Sequence, residues 1–259
     1  MSGYPYCEFT VLEEAAGKGM TLARYARDTP DRVAVYSGFG QRTFDELNRR
    51  ANQLVRCWRR AGVVAGDSVA MLLGNRPEFL EVYKAALRSG VRLTPINWHL
   101  TGEEVAYIVD NCEAKVFVSE RRFAEAAHEA LAANPDLLLS LMVDHDGSNE
   151  FRDYGEALAG EDATDIEDPE FGRYMLYTSG TTGRPKGVWR ANREPLVPMW
   201  KEGRVPMRPL EDCCLLTGPA YHAAPLMSIA RSLISGVPVV MMDKWDPEET
   251  LKLIEKHRV

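Results

Sequence analysis

Positive charge, long apolar runs and paired cysteines are the three things of which this sequence has little. Its 259 residues carry 31 Lys and Arg against 38 Asp and Glu, a net charge of −7 at pH 7. Nucleic-acid binding depends on many Lys and Arg contacts with phosphates, so this balance argues against a nucleic-acid partner. No apolar run approaches the roughly 20 residues that span a bilayer, so no transmembrane segment is predicted. Residues 1–8 lack the basic and apolar regions of a signal peptide, and none is expected.

The cysteines do not suggest a disulfide framework. There are five of them, an odd number without C-x-x-C spacing. Cys213 and Cys214 are adjacent, which is poor geometry for a mutual disulfide. We therefore expect reduced thiols and a cytoplasmic protein.

Strand and helix patterns alternate along most of the chain. Short apolar runs such as 69–73 and 91–96 predict strands, and amphipathic helices lie between them. Two of these helices open with Thr-x-x-Glu capping boxes, at Thr43 and at Thr101. Such alternation predicts an α/β fold of mostly parallel sheets flanked by helices. The stretch 144–172, rich in Asp, Glu and Gly, is interpreted as a solvent-exposed connection with a short helix.

Two groups of basic residues receive only a structural interpretation. Five arginines fall on one predicted amphipathic helix and are interpreted as its solvated face: Arg49, Arg50, Arg56, Arg59 and Arg60. Four histidines show no metal-ligand spacing and are interpreted as surface or loop residues: His99, His128, His145 and His257.

The most informative segment is 177–188, which reads Tyr-Thr-Ser-Gly-Thr-Thr-Gly-Arg-Pro-Lys-Gly-Val. Glycines at 180, 183 and 187 permit positive φ and let backbone amides approach an anion closely. Four hydroxyl groups and the ammonium group of Lys186 add donors that suit phosphate. Because the segment follows the apolar run 174–177, it predicts a loop that grips a polyphosphate after a strand.

Two better-known phosphate loops are excluded. The Walker pattern requires Gly-Lys-Ser/Thr, whereas Lys186 follows Pro185 and precedes Gly187. The dinucleotide fingerprint G-x-G-x-x-G comes closest at Gly38, where Thr43 occupies the position of the third glycine.

The loop does resemble the signature of the adenylate-forming superfamily, which includes acyl-CoA synthetases, fatty acyl-AMP ligases, luciferases and peptide-synthetase adenylation domains. Segments 43–47, 62–70, 75–79 and 94–97 resemble acyl-CoA synthetases in sequence and in order. After the loop, an aromatic-His pair, Tyr221-His222, stands where the family places one beside its acyl pocket. A lone His near a Pro is more often structural, and the family order favours the functional interpretation. The chain is thereby identified as resembling the amino-terminal portion of an acyl-CoA synthetase (fatty acid–CoA ligase).

This resemblance implies a domain organisation. An amino-terminal α/β subdomain is expected over residues 1–170, and the start of a second α/β subdomain, which carries the phosphate loop, over 171–259. The family's carboxy-terminal domain is absent from these residues, so the fold expected is a truncated amino-terminal part of the synthetase large domain.

The resemblance also implies the site. ATP, Mg²⁺ and CoA are the expected cofactor, metal ion and cosubstrate, and a fatty acid or other carboxylic acid is the expected substrate. Lys186 and His222 are the expected catalytic residues, with His222 beside the acyl carboxylate. The hydroxyl of Thr181 or Thr182 is expected to reach Mg²⁺. The loop residues expected to cradle the β- and γ-phosphates, with Lys186, are Thr178, Ser179, Gly180, Thr181, Thr182 and Gly183.

The sequence departs from the family in two ways. Residues 189–193 read Trp-Arg-Ala-Asn-Arg where acyl-CoA synthetases often carry a Ser-His pair. The family's Tyr-Gly-x-Thr-Glu segment, its Thr-Gly-Asp segment and its adenylating Lys are not found among these residues. We therefore expect little adenylation by this chain alone. Three hypotheses stay open: a truncated ligase, half of a split ligase completed by a separate polypeptide, or a non-catalytic protein that binds nucleotide or acyl groups.

Overall fold

The computed structural model of the chain describes residues 12–178, 184–189, 207–208 and 211–259. Within these ranges the helices are α1 Leu12–Gly17, α2 Thr21–Asp28, α3 Phe44–Arg60, α4 Pro77–Arg88, α5 Gly102–Asn111, α6 Ala124–Ala133, α7 Tyr154–Ala159, α8 Ala223–Ile234 and α9 Pro247–His257. The strands are β1 Val33–Ser37, β2 Gly40–Thr43, β3 Ser68–Leu72, β4 Arg92–Pro95, β5 Ala114–Glu120, β6 Leu139–Val143, β7 Arg152–Asp153, β8 Arg173–Tyr174, β9 Leu176–Thr178, β10 Lys186–Val188, β11 Cys214–Leu216 and β12 Val239–Met241.

The larger sheet has six strands in the order β7-β6-β5-β3-β4-β8. Each neighbouring pair in it is parallel. Strand β3 is buried along its whole length, as expected for a central strand covered on both faces. The prediction of an α/β fold with mostly parallel sheets flanked by helices is confirmed.

A second sheet of four strands has the order β11-β12-β1-β2. In it β12 pairs in parallel with both β1 and β11, whereas β1 and β2 form an antiparallel hairpin. Residues 33–43 therefore share a sheet with residues 214–241, and β8 belongs to the larger sheet. The division at residue 170 stays a prediction, and the hydrogen bonding of both sheets crosses that position.

Two hydrophobic clusters lie on opposite faces of the larger sheet. One includes residues of α5 and α6, among them Val105, Ile108 and Ala127. The other is larger and continues from α3 and α4 to α8 and the second sheet, through residues such as Trp58, Leu80 and Ile229. The apolar residues 79–80, 82–83 and 85–87 of α4 belong to this second cluster, and each residue of the helix is buried.

Both predicted capping boxes are present. The Thr43 hydroxyl accepts a hydrogen bond from the Glu46 amide, and the Glu46 carboxylate accepts one from the Thr43 amide. Thr101 and Glu104 form the same reciprocal pair. Capping of this kind satisfies amide groups that have no partner within the helix, so the start of each helix is encoded locally.

The interpretation of 144–172 as a solvent-exposed connection was wrong in part. This stretch contains the helix α7, as predicted, but Tyr154, Leu158 and Ile166 are buried in the core. The carboxylate of Asp165 is buried too and accepts hydrogen bonds from Asn48 (2.8 Å) and Asn52 (2.9 Å) of α3. The stretch is polar because its acids and carbonyl groups bind α3, which composition alone does not distinguish from exposure to water.

The interpretation of the α3 arginines as a solvated face is correct for Arg49, Arg59 and Arg60, which are exposed. It was wrong for Arg50 and Arg56, which are half-buried. Arg50 pairs with the buried carboxylate of Glu81 at 2.8 Å, and Arg59 pairs with Asp168 at 2.7 Å. Arg56 donates to the carbonyl oxygen of Thr164 at 2.6 Å. These side chains fasten α3 to α4 and to the 144–172 stretch. None of the helices in the described residues is long and apolar enough to cross a membrane.

Candidate active site

The predicted phosphate loop begins and ends on a β-hairpin. Strands β9 and β10 pair antiparallel, with Thr178 directly opposite Lys186. The Thr178 hydroxyl donates to the carbonyl oxygen of Lys186 at 3.5 Å, and both residues are exposed. Met175, just before β9, donates its amide to the carbonyl oxygen of Leu93 on β4 at 2.8 Å. The hairpin therefore continues from the edge of the larger sheet, near the carboxyl end of β4.

Gly187 was expected to permit positive φ in the loop, and the structure gives it a different role. It is not among the glycines with positive φ. A Cβ atom there would lie 2.0 Å from the Met175 side chain and 3.2 Å from the ring of Tyr177. Gly187 is thus a close-packing position that lets the two strands of the hairpin approach, while Lys186 beside it points its charge to solvent.

Positive charge collects at the second strand of the hairpin. Arg184 and Lys186 are both exposed, and the guanidinium of Arg184 lies 5.4 Å from the centre of the Tyr107 ring. Arg92 of β4 lies 5.4 Å from the centre of the Trp189 ring. Among the described residues, no carboxylate pairs with Lys186. Its ammonium group is therefore available to an anion.

His222 lies at the start of α8, where it occupies the N-cap position with extended backbone (φ −83°, ψ 152°). Its side chain does not cap the helix and is exposed. The imidazole packs against the Tyr221 ring, with ring centroids 4.4 Å apart. Because the backbone amide of His222 donates to the carbonyl oxygen of Pro219 at 3.1 Å, a tight turn fixes its place before the helix.

One cavity, of about 340 Å³, brings the two predicted functional segments together. Thr178 of the hairpin and His222 of α8 both line it. Lys186 is not among its lining residues. The remaining walls come from the carboxyl end of β4, from α5 and from the hairpin: Pro95, Asn97, Leu100, Ile108, Leu176, Tyr177, Pro185, Tyr221 and Ala223. Ligands bind at the carboxyl ends of parallel strands in open α/β sheets, and this cavity occupies such a position.

Tyr177 of β9 lines the cavity, and a hydrogen bond holds its side chain in place. The hydroxyl of Tyr177 donates to the side-chain oxygen of Asn111 at 2.6 Å. Burial raises the pKa of Tyr177 above its usual value, and the nearby Cys112 and Tyr107 raise it further. Tyr177 thus stays neutral at physiological pH and offers the cavity a ring face.

The remaining loop residues lie outside the described part of the chain, namely Ser179, Gly180, Thr181, Thr182 and Gly183. Their role in binding phosphate, and that of Thr181 or Thr182 at a metal ion, stays a prediction. Within the described ranges, no group of three or more His, Cys, Asp or Glu side chains could hold a metal ion.

Sequence reasoning missed most of the cavity wall. The segment 94–97 was noted only for its resemblance to acyl-CoA synthetases, with no role in the site, yet Pro95 and Asn97 line the cavity. The signal was available, because a turn residue directly after a buried parallel strand stands at the edge where ligands bind. Leu100, Ile108 and Tyr177 gave no such signal, since apolar residues at helix or strand spacing look the same in a core and in a pocket.

Thus an α/β protein carries, at the edge of a parallel sheet, a β-hairpin that shares a cavity with an aromatic-His pair. The profile of the family described as "AMP-binding enzyme" matches residues 22–259. The chain belongs to this family.

Known relatives agree with this assignment. The chain is 28% identical over 262 residues to a medium/long-chain-fatty-acid–CoA/3-oxocholest-4-en-26-oate–CoA ligase of Mycolicibacterium smegmatis, covering 92% of this chain and 47% of the relative. The chain spans about half the length of the curated relatives it matches.

Solved structures show the same fold. A fatty acyl CoA synthetase of Mycobacterium tuberculosis matches with a TM-score of 0.80 at 24% identity, over 95% of this chain and 49% of that one. An O-succinylbenzoate coenzyme A synthetase of Bacillus subtilis, solved in complex with ATP and magnesium ion, matches with a TM-score of 0.71 at 22% identity, over 92% of this chain and 61% of that one.

Proposed function

We propose that the chain contributes to the ATP-dependent activation of a fatty acid or other carboxylic acid, first to an acyl-adenylate and then to an acyl-CoA. The observation that carries the proposal is the cavity that Thr178 and His222 share. Thr178, the first residue of the predicted phosphate loop, and His222 of the predicted acyl site line the same space, which supports the proposal. Family membership and the names of the relatives support the reaction class.

In the first step, a carboxylate oxygen attacks the α-phosphorus of ATP, and the bond from that phosphorus to the pyrophosphate oxygen breaks. An anion must approach a polyanion, so neutralising charge and fixing an in-line geometry are the main needs. The residues 178–183 cradle the β- and γ-phosphates, and Lys186 pairs with phosphate or steadies the loop. His222 borders the carboxylate, where an imidazole N–H can donate to the oxygen that does not attack.

In the second step, the sulfur of CoA bonds to the acyl carbon and AMP leaves.

Magnesium would be held in part by the hydroxyl of Thr181 or Thr182 and would neutralise charge on the phosphates. The apolar members of the cavity wall, Leu100, Ile108 and Leu176, suit the hydrocarbon part of an acyl group.

The 259 residues by themselves are expected to bind ATP and to turn it over little. They contain no Tyr-Gly-x-Thr-Glu segment for the metal ion, no Thr-Gly-Asp segment for the ribose and no adenylating Lys from a carboxy-terminal domain. In one version of the proposal these groups come from the rest of a longer ligase, and in a second they come from a separate polypeptide. Binding without turnover is the third version.

The test is a titration of ¹⁵N-labelled chain with ATP and magnesium, with pyrophosphate release measured in parallel with decanoate as the acid. We expect amide resonances of 178–188 to shift. We expect Lys186→Ala to weaken the apparent affinity by about 10-fold or more, because a hydrogen bond to a charged group contributes roughly 1.5–3 kcal/mol.

Lys256→Ala is the matched control, since Lys256 is an exposed lysine on α9, away from the hairpin. It should bind ATP like the wild type. If no amide of the hairpin responds to ATP, or if both lysine variants lose affinity equally, the nucleotide assignment is wrong. Rapid pyrophosphate release by the chain alone would instead contradict the expected lack of turnover.

A further inference from the structure

The side chain of Asn75 joins the two sheets directly behind the candidate acyl site. Its amide nitrogen donates to the carbonyl oxygen of Gly218 at 3.0 Å and to that of Met242 at 2.7 Å. Its amide oxygen accepts from the backbone N–H of Ala220 at 2.8 Å. Asn75 follows β3 of the larger sheet, whereas its partners follow β11 and β12 of the second. One buried side chain thus forms hydrogen bonds with three backbone groups and links the two sheets.

Those backbone groups belong to the segment that delivers His222. Residues 217–222 run from the end of β11 to the N-cap of α8, and Ala220 is almost fully buried. Among the described residues, the side-chain hydrogen bonds recorded to this segment all come from Asn75. Two residues after Ala220, His222 emerges from the turn and lines the cavity.

Asn75 is itself held rigidly. The next residue, Arg76, is buried and forms ion pairs with Glu78 (2.7 Å), Glu120 (3.1 Å) and Asp144 (2.8 Å). Pro77 then begins α4, every residue of which is buried. A side chain can fix the geometry of another segment only if its own support does not move, and this support extends into the core of the larger sheet.

We propose that Asn75 is a positioning residue of the acyl site, which holds the 217–222 turn so that Tyr221 and His222 face the cavity in the orientation that a carboxylate requires. The proposal rests on the proposed function in taking His222 as the carboxylate neighbour. It assigns a role to the first residue of the 75–79 segment, which the sequence analysis noted only for its resemblance to acyl-CoA synthetases.

The alternative is that Asn75 only fastens one sheet to the other. Buried Asn52 offers a matched comparison, since it too uses both ends of its amide. It donates to Ala163 (3.1 Å) and Asp165 (2.9 Å) and accepts from Arg88. Its partners lie in α4 and the 144–172 stretch, and it does not contact the 217–222 segment. Asn75→Ala and Asn52→Ala therefore both remove a buried amide. Only Asn75→Ala removes hydrogen bonds to the segment that carries His222.

The experiment uses the 259-residue chain with ¹³C-labelled histidine and compares three readouts. The first is hydrogen exchange of the Ala220 amide, which should become about 10-fold faster in Asn75→Ala, the change expected for loss of ~1.4 kcal/mol of protection. The second is the ring resonance of His222, assigned by its loss in His222→Gln. The third is the response of that resonance to decanoate, whose apparent Kd should rise at least threefold. Asn52→Ala should leave all three unchanged.

The outcomes separate the two proposals. If the His222 resonance and its decanoate response in Asn75→Ala match the wild type while stability falls as in Asn52→Ala, Asn75 only joins the sheets and the positioning role is wrong. If decanoate leaves the wild-type His222 unaffected, the acyl site of the proposed function fails, and the ring resonance without ligand still tests Asn75. If Asn75→Ala does not fold, Asn75→Ser replaces the amide, which makes three hydrogen bonds, with one shorter hydroxyl. A wild-type His222 resonance and a wild-type response to decanoate in that variant would equally overturn the proposal.

Discussion

At the scale of single residues, burying the ammonium group of Lys84 is expected to cost folding free energy. Lys84 lies in the middle of α4, is 1% exposed, and no carboxylate pairs with it among the described residues. Burial lowers the pKa of its ammonium group to about 7, and the nearby Arg88 contributes in the same direction. A buried amine of this kind favours its neutral form, so keeping it protonated opposes folding.

The variant Lys84→Met should therefore stabilise the protein. The pKa of Lys84 is lower in the folded state than the ordinary 10.5, so the unfolded state binds more protons between the two values. The wild-type free energy of unfolding should thus rise with pH from about 7 to about 10.5. Met has similar length and no charge, and we expect it to add roughly 1–4 kcal/mol at neutral pH, because each pKa unit corresponds to ~1.36 kcal/mol.

Chemical denaturation at several pH values checks this expectation. In Lys84→Met the alkaline rise should be smaller than in the wild type. Lys256→Met, at an exposed position of α9, should change neither the stability nor its pH dependence. A destabilised Lys84→Met with an unchanged pH profile would mean that the ammonium group has a favourable partner in the folded protein.

At this scale the sequence predicts charge but not burial. Arg50 and Glu81 each look like surface residues in the one-letter sequence, yet Glu81 is fully buried and binds Arg50, Arg42 and the hydroxyl of Tyr154. Four elements, β2, α3, α4 and α7, must pack together before this network exists. Asn75 is similar, because its partners lie more than 140 residues away. No local pattern contains such information.

At the scale of elements, the sequence predicts starts and ends well. The sequence Asp-Pro-Glu at 246–248 is typical of a helix start, and the Asp246 carboxylate accepts from the Glu249 amide at 2.8 Å, with Pro247 in the first turn. A glycine is typical of a helix stop, and Gly62 has φ +96° just beyond α3. Caps and stops depend on neighbours three or four residues apart, which is why the sequence reveals them.

His128 of α6 illustrates an element-level contact that the sequence did not reveal. Its two ring nitrogens lie 2.6 Å from Asp146 and 2.5 Å from Glu150, so the ring clamps the segment after β6 onto α6. These carboxylates, Asp146 first, raise the pKa of His128, and the same contact depresses the pKa of Asp146. A raised pKa means that the clamp is complete below about 6.5 and is lost as the pH rises through the folded-state value.

We predict that the 144–151 segment loosens at alkaline pH and that His128→Gln loosens it at lower pH, where the wild type keeps the clamp. The readout is the hydrogen-exchange protection of the Ser148 amide, which donates to Asp146 at 2.9 Å. Because the clamp is close to solvent, its loss should cost less than about 1 kcal/mol, or at most about fivefold in protection. The control is His99→Gln, an exposed histidine stacked on Trp98. Equal protection in wild type and His128→Gln at pH 6 would contradict the clamp.

At the scale of the whole molecule, the class of fold was predictable and the arrangement of the sheets was not. Alternating strand and helix patterns, with right-handed crossovers, are sufficient for a parallel sheet. The pairing of β1 with β12 joins Val35 to Val239. Local sequence does not encode a partner 200 residues away. The site is divided in the same way, since the motifs predicted a loop after a strand and a role for His222, whereas the hairpin pairing and the cavity wall depend on packing.

Large apolar side chains are exposed on the last helix, α9, and just before it. None of its residues is buried, and Leu251 and Ile254 are 68% and 39% exposed. Trp245, just before the helix, is 62% exposed. Contiguous exposed apolar surface of this kind favours association, because covering it removes the surface from water at roughly 25 cal/mol per Å².

We therefore predict that the 259-residue chain associates in a concentration-dependent way and that Leu251→Gln with Ile254→Gln weakens this association. Sedimentation velocity over a concentration series measures both. Glu255→Gln is the matched control, since it changes an exposed residue of the same helix to the same amide without removing apolar surface. If the double variant associates as strongly as the wild type, another face of the molecule is responsible. If the wild type stays monomeric throughout, the surface of α9 is too small to drive association by itself.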